Sequence, residues 1–137
     1  MAATELFSKR AGGATAGAGV VVVRSGETGA VLWLWGEQDM ATAAGVRSAL
    51  VDAVGDGDVD VVVDLAGVTF MDASILSELI QGRLRMQARS RRLSVRAPSR
   101  CARRLLELCQ LTEMIEPANS AAGDPLDVSG PRVSRAV

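Results

Sequence analysis

Residues 59–65 read Val-Asp-Val-Val-Val-Asp-Leu, a nearly continuous apolar run. This is the pattern of a strand buried on both faces, which belongs inside a sheet with covered faces and parallel neighbours. The flanking sequence agrees. Val20–Arg24 and Ala30–Trp35 are β-branched or aromatic runs separated by five turn-forming residues, which predicts a hairpin. A helical stretch from about Thr42 to Val54 carries Val46, Leu50, Ala53 and Val54 on one stripe and stops at Gly55-Asp56-Gly57-Asp58. A second helix, starting near Asp72, has apolar rows Ile75/Leu79/Gly82/Met86 and Leu76/Ile80/Leu84/Ala88. Leu93–Ala97 reads as a short strand. Pro98-Ser99 opens a third helix with Ser99 as N-cap and Ala102, Leu105, Leu106 and Cys109 facing inward. The predicted order is ββαβαβα, a single α/β domain with a mixed sheet and helices packed mainly on one face. Residues 1–19, rich in Ala and Gly, are expected to be a flexible arm, residues 20–116 the domain, and residues 117–137 a disordered tail.

Composition narrows the chemistry. The chain has 137 residues and no His, which removes the commonest general base and zinc ligand. Ser-His-Asp and Cys-His hydrolases are thereby excluded. There is no Tyr, the single Lys is Lys9, and no G-x-x-x-x-G-K-[ST] loop is present. Asp39, Asp64 and Asp72 are expected near one another at strand ends. The residue types favour turn and cap roles over a Mg²⁺ site, since receiver-type chemistry also needs a Lys at a strand end. No enzyme activity, metal or cofactor is expected.

Charge is unevenly placed. Residues 27–78 contain ten Asp or Glu and one Arg, Arg47, whereas residues 83–104 contain nine Arg and no acid. The Arg residues are not interleaved with aromatics for base stacking, so a solvated face is favoured and no nucleic-acid partner is expected. No run is long enough to cross a bilayer, and the first residues are too weakly apolar for a signal peptide. A cytoplasmic protein without a membrane partner is expected. Cys101 and Cys109 lie eight residues apart on one predicted helix, about 12 Å along its axis, too far for a disulfide. Cys109 is expected to be buried. Cys101, beside Arg100, Arg103 and Arg104, is the candidate redox thiol.

Three segments resemble one family, the STAS-domain anti-sigma factor antagonists. Gly36-Glu37-Gln38-Asp39 after a strand is similar to that family's G-E-x-D turn. Residues 64–74, Asp-Leu-Ala-Gly-Val-Thr-Phe-Met-Asp-Ala-Ser, resemble its D-L-S-G-V-x-F-[ILM]-D-S-[ST] segment. Arg104-Leu105-Leu106-Glu107-Leu108 with Leu111 resembles its last-helix pattern, and the matches run in order across about residues 20–116. The resemblance implies a bacterial partner-switching module that regulates transcription. The unphosphorylated antagonist would bind an anti-sigma factor that is also a serine kinase, freeing a sigma factor. Phosphorylation would break that binding and a phosphatase would restore it. Ser74 takes the phosphoacceptor position, with Asp39, Asp72, Ala73 and Ile75 as partner-binding positions. The chain departs from the pattern at Ala73, where Ser is usual, and at Ile75, where Gly is usual. A β-branched side chain at 75 is expected to fill space that an approaching kinase needs. That departure keeps a second expectation open, a STAS signalling or scaffold module that oligomerises without phosphoregulation. By residue type alone, Ser74 is also an ordinary first-turn polar residue of a helix capped by Asp72.

Trp33 and Trp35 alternate with Leu32 and Leu34, so both indoles point to the sheet face away from the leucines. Trp is enriched at interface hot spots. This face is expected to be an association surface, most simply of a homodimer.

Overall fold

The computed structural model describes residues 4–9, 17–25, 29–55 and 59–117. Five strands, β1 (Thr4–Lys9), β2 (Gly19–Ser25), β3 (Gly29–Gln38), β4 (Val61–Met71) and β5 (Leu93–Arg96), form one sheet in the order β1-β2-β3-β4-β5. The first two pairings are antiparallel and the last two parallel. Helix α1 (Met40–Val54) connects β3 to β4, α2 (Ala73–Gln87) connects β4 to β5, and α3 (Arg100–Leu108) follows β5. The mixed sheet with three helices matches the predicted α/β class. Among the described residues no helix is long and apolar enough to cross a membrane.

The chain expected to be a flexible arm contributes a strand. Thr4–Lys9 pairs with β2 from Thr4↔Ser25 to Lys9↔Val20. Without β1, the outer edge of β2 would present a row of unpaired backbone donors and acceptors. The predicted C-terminal tail lies outside the described residues beyond Pro117.

One apolar cluster joins Val20, Val22, Leu32, Leu34, Val61, Val63 and Leu65 of the strands to Val46 and Leu50 of α1, Ile75 and Leu79 of α2, and Ala102 and Leu106 of α3. At about 25 cal/mol per Å² of apolar area removed from water, this cluster is the main source of stability. Gly82 of α2 permits close helix packing: a Cβ there would lie 3.2 Å from Leu93 Cδ1 and 3.4 Å from Leu50 Cδ2.

The opposite face holds a buried ion pair. Asp64 and Arg96 are cross-strand partners, 4% and 3% exposed, with Arg96 Nε donating to Asp64 Oδ2 at 3.0 Å. The guanidinium lies 5.0 Å from the Trp33 ring centroid, in cation–π range. Asp64 is therefore in the middle of β4, not at a strand end with Asp39 and Asp72. The alternation of an 11-residue strand carries it to the far face.

The end of α3 differs from its predicted stripe. Leu106 and Ala102 are buried, but Cys109 is exposed. The helix stops at Leu108, and Cys109 is its C-cap with φ −95° and ψ 7°, so the helical period no longer directs its side chain inward. Cys101 is half-buried, with its Sγ 3.6 Å from the Val68 carbonyl, to which it donates, and 3.4 Å from Ser99 Oγ. Oxidation should therefore produce intermolecular dimers through Cys109. Non-reducing electrophoresis should show them disappear in Cys109→Ser and persist in Cys101→Ser. An intramolecular bridge between the two would contradict the helix that separates them.

Candidate partner-binding site

Parallel pairing brings two helix starts together. β3 and β4 end in register at Gln38↔Met71, and the next residue in each strand caps a helix. Asp72 N donates to the Gln38 carbonyl at 3.2 Å, which ties the second cap to the first strand. Asp39 Oδ1 accepts from Ala41 N at 2.9 Å, while Asp39 N donates to Thr42 Oγ1 at 3.0 Å, a reciprocal capping arrangement. Asp72 Oδ1 accepts from Ser74 N at 2.9 Å. Both carboxylates thus stand at positive helix ends, where they satisfy N–H groups without helical partners.

Gln38 locks this arrangement from below. It is fully buried, and its Nε2 donates to the carbonyls of Trp35 at 2.7 Å and Gly19 at 3.1 Å. Its Oε1 accepts from Thr42 Oγ1 at 2.9 Å. Gly36 turns the chain just before it with φ +80°, and a Cβ there would fall 2.5 Å from the Gly17 carbonyl oxygen. Only glycine meets both conditions without displacing the chain. In the sequence Gln38 occupies only the variable position of the G-E-x-D turn. Its burial was not legible, because the carbonyls it bonds come from a bulged β3 and from the start of β2.

Ser74 is half-exposed in the first turn of α2, next to exposed Ala73 and half-exposed Asp39 and Asp72. Ile75 is different. It is fully buried in the apolar cluster, so it neither contacts a partner nor fills the space above Ser74. Its place one residue after Ser74 turns it about 100° around the helix toward the sheet. Two apolar side chains not anticipated from the sequence flank the site: Phe70, 48% exposed, and Met40, 75% exposed. Phe70 lies opposite Glu37 at the end of β4, and Met40 is the first residue of α1. A lone apolar residue beside a cap carries no periodicity that would have revealed it.

Below the two caps, α1 and α2 are joined by Arg47 and Glu78. Arg47 donates from Nε to Glu78 Oε1 at 3.1 Å and from Nη2 to Oε2 at 2.7 Å. These hydrogen bonds, and the charge of Glu78, hold the guanidinium protonated above its ordinary range.

Trp33 and Trp35 lie on the outer face as expected, but both are half-buried. Trp33 stacks with Arg96, and Trp35 lies over Gly19, its cross-strand partner. The nine Arg residues of 83–104 do not act as one group. Arg96 is buried, Arg83 pairs with Glu113 at 3.1 Å, and Arg89 Nη1 donates to the Gly55 carbonyl at 2.7 Å.

The fold has counterparts among known proteins. The unphosphorylated anti-sigma factor antagonist SpoIIAA superposes with a TM-score of 0.62 at 20% identity, covering 74% of this chain and 90% of that one. An anti-sigma factor antagonist from Mycobacterium paratuberculosis gives 0.59 at 21% identity, covering 84% and 86%. At such identities the likeness establishes the fold. No curated protein matches the sequence. The STAS_2 family model, described as Mlab, STAS domain, matches residues 21–116, most of the chain and both helix starts. The chain belongs to the STAS domain family.

Proposed function

We propose that this chain is an anti-sigma factor antagonist. It acts in the bacterial cytoplasm by binding an anti-sigma factor that is also a serine kinase, in a pathway that controls transcription. The observation that carries this reading is Ser74. It is a half-exposed hydroxyl in the first turn of α2, beside two capped helix starts and flanked by exposed Phe70 and Met40. The apolar pair supplies contact area, Ala73 leaves the approach open, and Asp39 and Asp72 set the local charge. The role is binding, without catalysis by this chain.

In the switch, Ser74 Oγ attacks the γ-phosphorus of the kinase's ATP. The bond to ADP breaks and the hydroxyl proton passes to a base on the kinase. A phosphatase later returns the hydroxyl with water as the nucleophile. The phosphate adds about −1.5 to −2 charges, beside Asp72 and within a tight interface. A change of 2–3 kcal/mol corresponds to about 30- to 150-fold in affinity. Ser74→Ala should retain binding and lose phosphorylation. Ser74→Asp should weaken binding, though less than phosphate does. Incubation with the organism's candidate anti-sigma kinases and ATP, followed by phosphopeptide mapping, tests the assignment. Phosphate at Ser77 or Ser94 with Ser74 unmodified would overturn it.

A second reading, a scaffold that self-associates through Trp33 and Trp35, is favoured by the position of both indoles on the sheet face opposite the leucine core. Replacing both with Ala should then convert a dimer to a monomer in light scattering. A wild-type monomer at high concentration would dismiss it. Burial of Ile75 removes the steric objection to phosphorylation that had favoured this alternative.

A further inference from the structure

Ser74 and Glu78 are four residues apart on α2 and therefore share a face, with Cβ atoms about 5–6 Å apart. Helical side chains lean toward the N-terminus, so Glu78 reaches back over the turn that carries Ser74. Arg47 meets it there from α1. A guanidinium has five N–H donors in a fork, and Glu78 occupies only the edge formed by Nε and Nη2. The Arg47 side chain is 56% exposed, against 10% for Glu78, and among the described residues its Nη1 makes no hydrogen bond. Arg47 is also the only basic residue between positions 27 and 78, the stretch that builds both helix starts.

We propose that Arg47 receives a phosphate on Ser74 through its Nη1 edge while keeping its bonds to Glu78, so that the phosphate is held in the groove between α1 and α2. The inference rests on Ser74 as phosphoacceptor and adds how the modified state is read. Three acceptor oxygens and nearly two negative charges suit an arginine edge. Among the described residues, the other charged side chains of the two caps and of this helix pair contact are acidic: Asp72, which accepts from Ser74 N, Asp39 at the neighbouring cap, and Glu78. Arg47 is the counter-charge that makes a dianion tolerable there.

The test is a ³¹P NMR pH titration of the full chain with phosphoserine placed at position 74 during translation, so that no kinase is required. Opposite charge within about 4–6 Å lowers an acid's pKa by about 1–3 units. The Arg47→Gln/Glu78→Gln double variant, which strands no buried carboxylate, should raise the phosphate's second pKa by about one unit relative to wild type. Glu78→Gln alone should leave that pKa as low as in wild type or lower. Arg47→Lys, which keeps the charge but lacks the fork, should fall between wild type and the double variant. Equal values in wild type and a double variant with native circular dichroism would overturn the proposal. A kinase assay that leaves Ser74 unmodified, together with a titration that follows Arg47, would instead overturn the phosphoacceptor reading and keep the phosphate contact.

Discussion

Asp64→Ala should lower the unfolding free energy by about 3–5 kcal/mol, read from urea denaturation at neutral pH. The substitution leaves the Arg96 guanidinium, 3% exposed, in the sheet without the carboxylate that holds its Nε. It also removes the acceptor for Ala66 N, now bonded to Asp64 Oδ1 at 2.9 Å. Coulomb attraction within the native pair is largely offset by the cost of taking both charges from water, so the loss comes mainly from keeping the guanidinium buried once the carboxylate at its Nε is gone. Joint replacement by apolar residues, Asp64→Leu with Arg96→Met, should therefore cost much less than Asp64→Ala alone. A loss under 1 kcal/mol for Asp64→Ala, or an equal loss for the double variant, would show that the pair is not the constraint its geometry implies.

Gln38→Ala should be the next most damaging, at about 2–4 kcal/mol, combining a cavity with polar atoms left unsatisfied. The carbonyls of Gly19 and Trp35 would lose the Nε2 donor. Thr42 Oγ1 has a second acceptor in the Asp39 carbonyl at 3.1 Å, so its loss is smaller. The damage should be greatest at the start of α1. Hydrogen exchange should rise first at Ala41 and Thr42, before the amides of α3. Uniform loss of protection across the domain would show that Gln38 stabilises the whole fold equally and has no particular hold on the cap.

The predicted α/β order was legible because its signals are local. Asp72 and Ser99 announce helix starts through the capping chemistry of single residues, and both are caps in the structure. What failed depended on distant partners. Asp64 sits in an apolar run that says nothing of Arg96, 32 residues later; only the parallel register of β4 and β5 joins them. β4 continues through Ala66 and Gly67 to Met71, residues whose composition suggests a turn. Cys109 was placed by extending a helical stripe one residue beyond the helix. For Ile75, periodicity and family resemblance disagreed. Its apolar row with Leu79 and Met86 pointed inward, the position in the motif pointed outward, and the periodicity was right. The Ser74 neighbourhood was legible as far as its caps, but Met40, Phe70 and the Arg47 clamp emerge only when β3 and β4 set two helices side by side.

The order of strands across the sheet is also their order along the chain. No strand has to enter between two already paired. Each one added during synthesis can settle against the strand made just before it, with a hairpin or a single helix as the connection. Loop-closure costs are thereby kept short-range, which favours rapid folding for a mixed sheet. Growth from the ribosome would lay down β1, β2 and β3 before the first parallel neighbour is needed. The paired caps would form only when β4 reaches Met71, so a nascent chain would acquire its sheet edge well before it acquires a surface able to recognise anything.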